Sequence, residues 1–114
     1  MKLAQQFLNQ IVTIKVDRAL GSIHPKWNFL YPVNYGYLEG VTAPDGEFLD
    51  AYVLNLNQPV QEFEGHCVAI IHREDDDDDK LIIIPQGTTI SDLEIEKQTE
   101  FQEQWFKHSI IRTA

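Results

Sequence analysis

The segment D-G-E-F-L-D at residues 45–50 concentrates acid groups where chemistry is conceivable. In an extended chain, residues two apart share a side, so Asp45 and Glu47 point together, and Asp50 joins them only across a bend that Gly46 permits. Three converging carboxylates raise one another's pKa unless a cation lies between them, and hard oxygen donors suit Mg²⁺ or Mn²⁺. The plain alternative is a solvated acidic turn. An EF-hand is a poor alternative, because the D-x-D-x-D-G loop with its terminal Glu is missing. A second acidic run, E-D-D-D-D-D-K at 74–80, is flanked by apolar strand-like sequence and reads as a hairpin tip. There Asp78 and Lys80, two residues apart, present an acid for a metal and an ammonium for an anion. A third set, Arg18, Tyr31, Tyr35 and Tyr37, offers donors for phosphate oxygens, with sheet packing as the alternative for the tyrosines. His24, His66, His72 and His108 have no zinc-site spacing, and there is no Gly-rich phosphate loop, G-x-S-x-G or dinucleotide fingerprint.

The elements that must position these residues are mostly strands. After a short helical turn, I-V-T-I-K-V (11–16) alternates Val12, Ile14 and Val16 against Thr13 and Lys15, the period of a strand. The segment 17–36 carries Gly21, Pro25, Pro32 and Gly36 and reads as loop with short extended pieces. Strands are expected at 49–56, 65–73 and 80–85, the last two rich in β-branched residues. Near the C-terminus Ser91 and Glu94 form a capping box, and Ile90 and Ile95 stand where a hydrophobic staple would place them, so a helix begins near Asp92. Leu93, Phe101 and Trp105 are expected to form its core-facing stripe. Several short strands and one covering helix predict a mainly β fold, a small twisted barrel or sheet.

The 114 residues are expected to form one domain, residues 1–114, with 43% hydrophobic content sufficient for a core. Eighteen acids against nine Lys and Arg give a net charge of −9, which opposes binding to nucleic acid or an acidic membrane surface. No apolar run approaches the roughly 20 residues of a membrane span, and the N-terminus lacks the pattern of a secretion signal, so a cytoplasmic location is expected. Cys67, the single cysteine, reads as a buried strand thiol. Trp27, Phe29 and Phe63 suit either core or a subunit interface, which leaves a homo-oligomer open.

V-D-R at 16–18, Y-P-V-N-Y-G-Y at 31–37, D-G-E-F-L-D at 45–50 and D-D-K-L-I-I-I-P at 78–85 together resemble the soluble family I inorganic pyrophosphatases, over roughly residues 11–107. The resemblance implies a closed OB-like five-stranded barrel with the C-terminal helix covering it, and Mg²⁺-dependent hydrolysis of pyrophosphate, with Mn²⁺ as the alternative ion. It also implies roles. Asp45, Glu47, Asp50 and Asp78 would hold metal, with Glu47 also the general base. Arg18, Tyr35, Lys80 and Lys107 would bind the phosphates, the first three also stabilising the reacting phosphoryl group. The sequence departs from that family in four respects. Glu47 stands where Asp is usual, Arg73 falls on the place of a further metal-binding Asp, Phe106-Lys107 replaces a Tyr-Lys pair, and the strands that supply a lysine and a glutamate have no counterpart. These departures motivate two alternatives: a hydrolase of another phosphoanhydride such as a nucleotide, and a metal- or phosphate-binding module without catalysis.

Overall fold

A computed structural model describes residues 3–43, 46–75 and 78–113. A 3₁₀ turn at Ala4–Phe7 precedes six strands and one helix: β1 Ile11–Arg18, β2 Asn34–Thr42, β3 Phe48–Val53, β4 Glu62–Arg73, β5 Asp79–Ile84, α1 Asp92–Glu103 and β6 His108–Ile111. The sheet runs β1-β2-β3-β5-β4, and β1 pairs again with β4, so five strands close into a barrel while β6 extends the sheet from β4. All pairings are antiparallel except β3 with β5, which run parallel. Closure leaves those five strands without a free edge.

Two apolar clusters follow from the alternation of side chains along the strands. Ile14, Leu49, Ala51, Val53, Leu81 and Ile83 fill one together with Leu8. Tyr52, Leu54, Ile82 and Ile84 point the other way and meet Ile90 and Ile95 around α1. Covered on both faces, β5 is therefore continuously apolar from Leu81 to Ile84, the pattern of a fully buried strand. Each such side chain contributes roughly 1.5–3 kcal/mol by its burial, and this anchors the strand that carries Lys80. Cys67 and Ile70, three residues apart, share a cluster because the β4 register shifts between Cys67 and Ala69. Burial raises the Cys67 thiol to about 12, as suits an inert core residue.

Three expectations are corrected. The end of the segment expected to be loop, residues 34–36, instead opens a full strand that runs to Thr42, because Gly36 lets β2 lie against β1: a Cβ there would stand 1.9 Å from the Lys15 carbonyl oxygen. The strand expected over 49–56 ends at Val53, and Asn55 takes a left-handed conformation (φ 59°). Helix α1 begins as expected, with the Ser91 side chain accepting the Glu94 N–H at 3.1 Å and Ile90 and Ile95 in one cluster. Its buried face is however Ile95, Thr99 and Glu103, whereas Leu93 and Trp105 are 67% and 76% exposed. The pinned Ile95 sets the rotation of the helix, and Trp105 lies beyond its last turn. Among the described residues, no helix is long and apolar enough to cross a membrane.

Candidate active site

The parallel pairing of β3 with β5 sets Asp50 opposite Lys80. Lys80 Nζ donates to Asp50 Oδ2 at 2.8 Å and to Asp78 Oδ2 at 2.8 Å. Asp78 sits two residues before Lys80 at the end of the β4–β5 hairpin, so both side chains project to one side. The ammonium is buried, while its partners are partly open. Tyr35 of β2 pairs with Tyr52 of β3 and with Arg18 of β1, bringing three further groups to the same face. The Tyr35 and Tyr52 rings meet edge to face at 4.9 Å, and Lys80 Nζ stands 5.9 Å from the Tyr35 centroid. Burial, reinforced by Asp50, raises the Tyr35 phenol well above its ordinary value, so it remains a protonated donor. Burial, only partly offset by the Arg18 charge, raises the Tyr31 phenol above its ordinary value.

Arg73, at the end of β4, closes the other side. Its Nε and Nη2 donate to the two Glu103 oxygens at 3.0 and 2.8 Å, and its Nη1 reaches Asp78 Oδ2 at 3.4 Å. Its guanidinium carbon lies 3.8 Å from the Phe106 ring centroid. Glu103 is 1% exposed and also accepts from the Tyr52 hydroxyl at 2.7 Å, which itself accepts from Gln102 Nε2 at 2.7 Å. Burial disfavours both charges of the pair, yet their mutual bonds outweigh it: Glu103 is lowered and Arg73 raised. Burial, then Glu103, push the Tyr52 hydroxyl well up. A cavity of about 620 Å³ opens over this face, with Tyr35, Arg73 and Lys80 in its lining.

Of the residues singled out from sequence, Arg18, Tyr35, Asp50, Asp78 and Lys80 thus gather at one end of the barrel. Asp45 lies outside the described residues. Glu47 is exposed in the bend before β3, where its carbonyl accepts the Ala43 N–H at 2.7 Å. Lys107 is exposed and outside the cavity lining, its carbonyl accepting from Glu74 at 2.9 Å. Sequence reasoning missed the ion pair of Arg73 with Glu103. The available signal was an acid on the helix face that Ile95 and Thr99 bury, which requires a cation opposite.

The donor chemistry fits a hard divalent cation. Asp50 on β3 and Asp78 just before β5 already share one cation, each at 2.8 Å, so their oxygens converge as a bridging pair would. Among the described residues no group of three or more acid, His or Cys side chains is assembled for a metal.

A model of the family described as inorganic pyrophosphatase matches residues 8–111. The chain belongs to the inorganic pyrophosphatase family, and inorganic diphosphatase activity, the hydrolysis of pyrophosphate, is what that membership supports. The family is in general metal-dependent. Among solved structures, the inorganic pyrophosphatase of Helicobacter pylori shares 18% identity and a TM-score of 0.66, covering 90% of this chain and 84% of its own. That of Ehrlichia chaffeensis shares 15% identity and a TM-score of 0.67, over 87% and 83%. That of Thermus thermophilus shares 18% identity and a TM-score of 0.59, over 90% and 82%. At such identities the likeness is one of fold, and it agrees with the closed barrel expected from sequence. No curated protein matches the sequence.

Proposed function

We propose that the face formed by Arg18, Tyr35, Asp50, Asp78 and Lys80 is the site at which this chain hydrolyses pyrophosphate with Mg²⁺, Mn²⁺ being the alternative ion. The observation that carries this reading is the shared ammonium, which holds two carboxylates together at 2.8 Å beside a cavity. Asp50 and Asp78, with Glu47 from the bend before β3 and Asp45, would hold the cation. When bound, it supplies Lewis acidity and charge neutralisation near neutral pH.

The chain's own residues perform the rest. Lys80 and Arg18 are fixed cations that face the phosphoryl oxygens, and the protonated Tyr35 hydroxyl adds a neutral donor. These groups are positioned before substrate arrives, so little reorganisation accompanies the growth of charge. Lys107, next to the cavity-lining Phe106, takes the outer phosphate. Glu47, the general base by the family resemblance, would accept the proton of the attacking water as the bridging P–O bond breaks and two orthophosphates leave. Arg73 and Glu103 hold Asp78 and Tyr52 in place from beneath. Such a site works on a small-molecule substrate, in a cytoplasmic setting where pyrophosphate is formed.

Direct binding of Mn²⁺, followed by the loss of its free-ion paramagnetic resonance signal, tests the metal assignment. Saturable binding that weakens at least tenfold in Asp50→Asn and Asp78→Asn is expected. Equal binding in all three proteins would remove these residues from the metal site.

A further inference from the structure

The cavity over the site is walled by apolar surface that pyrophosphate, polar on every side, cannot use. One wall is the hairpin-like excursion 21–31, closed by the Ile23–Leu30 bridge, from which His24, Trp27 and Phe29 face inward. The other is the end of α1 and the residues after it, with Phe101, Trp105 and Phe106. The rings are held in place. Phe29 stacks on His24 at 4.9 Å and meets Phe101 at 6.0 Å. His24 Nδ1 accepts the backbone N–H groups of both Lys26 and Trp27 at 3.0 Å, which fixes the turn that carries the indole.

Trp27 and Trp105 are nonetheless 67% and 76% exposed, large flat faces turned mostly to water. The charged residues of the lining are Arg73 and Lys80, each paired with carboxylates set just outside it: Lys80 with Asp50 and Asp78, Arg73 with Glu103 and Asp78. Lys26 Nζ adds a cation 4.8 Å from the Trp27 ring. About 620 Å³ lies within the roughly 300–1,000 Å³ that enclose a drug-sized ligand. Aromatic walls above the phosphate site proposed here complement a molecule that is planar and aromatic at one end and carries phosphates at the other.

We infer that this cleft binds a nucleoside di- or triphosphate, its phosphates at Lys80 and its base against Trp27 and Trp105. The phosphate end rests on the function proposed above; the base end rests on the walls alone. Stacking of a base on an aromatic side chain strengthens binding by about tenfold or more.

Trp27 and Trp105 are the only two tryptophans, so intrinsic fluorescence reports on this cleft alone. ADP and pyrophosphate are titrated in Mg²⁺ buffer into the unaltered protein, Trp27→Ala and Trp105→Ala, each variant retaining one indole. Both positions are exposed, so the variants are expected to fold, as circular dichroism checks. The expected result is quenching by ADP with at least about tenfold tighter binding than pyrophosphate, and a fall of several-fold in that ratio in each variant. ADP binding no tighter than pyrophosphate, or a ratio unchanged in both variants, would overturn the inference. So would a blue shift of emission with rising protein concentration before ligand is added, which would mean that a second copy covers the indoles. Phosphate release from pyrophosphate, followed on the same preparations, separates the two claims: turnover without ADP preference contradicts only the inference, and ADP preference without turnover contradicts only the proposed function.

Discussion

Lys80 and Asp50 face each other across the parallel β3–β5 ladder and meet at 2.8 Å, the lysine buried and the aspartate partly open. The bond makes Lys80 the counter-ion of the acidic face, and under the proposed function the same ammonium is also a ligand for the substrate.

Removing that ammonium should therefore be felt twice. Lys80→Met is expected to lower kcat/KM by about 10²–10³-fold, the usual effect of losing one pre-positioned charge on the reacting group. It should also cost about 1–3 kcal/mol of stability, less than for a fully buried pair because Asp50 and Asp78 keep access to water. Steady-state kinetics and urea unfolding measure the two losses. Unaltered kinetics would remove Lys80 from the phosphate site.

Arg73 and Glu103 are the inverse case, an ion pair almost wholly withdrawn from water. Glu103→Ala leaves a guanidinium buried against Phe106 and should destabilise the protein by about 3–5 kcal/mol. Folding lowers the Glu103 pKa from its ordinary 4.5, so its contribution is complete above about that pH and is lost as pH falls through the lower folded value. Glu103→Gln should accordingly flatten the acid limb of the stability curve. Urea midpoints between pH 3 and 6 that fall in parallel for both proteins would contradict this.

His108 gives the opposite sign. Burial works against its charge, but the Phe106 carbonyl and Glu96 outweigh burial and raise its pKa above 6.5. Its stabilisation is complete below pH 6.5 and disappears as pH rises through the folded value. His108→Gln should lose that pH dependence, an effect of up to about 1 kcal/mol because Glu96 is half exposed. Proton NMR titration of the imidazole gives the folded value directly.

Gly36 tests how the site is held. Any Cβ would meet the Lys15 carbonyl oxygen at 1.9 Å, and that oxygen belongs to backbone, which cannot swing aside. Gly36→Ala should force β1 and β2 apart, cost about 1–3 kcal/mol or more, and displace Tyr35, its neighbour in the chain. A thermal midpoint within a degree of the unaltered protein would show that the strands lie further apart.

The same glycine explains what could be read from sequence. Where burial alone sets the pattern, as in β1, β4 and the doubly covered β5, the residues announce their structure. Strand β2 did not, because Gly36 and Gly40 are breakers by composition, and only contact with Lys15 makes the first a requirement. Short β6 is formed by pairing with β4, and nothing local in H-S-I-I marks it as a strand. At the site, Asp78 and Lys80 were legible because two-residue spacing joins them. Glu103 was not, since its partner Arg73 is thirty residues away and only the rotation of α1 brings them together.

If Asp50 and its neighbours form a metal-dependent pyrophosphate-cleaving site, the initial rate of orthophosphate release from pyrophosphate at saturating Mg²⁺ shows it most directly, compared between the unaltered chain and Asp50→Asn, which retains shape and removes charge. The predicted result is metal-dependent release by the unaltered chain that falls at least a hundredfold in the variant. Equal rates in the two proteins, or no release from either, would contradict it.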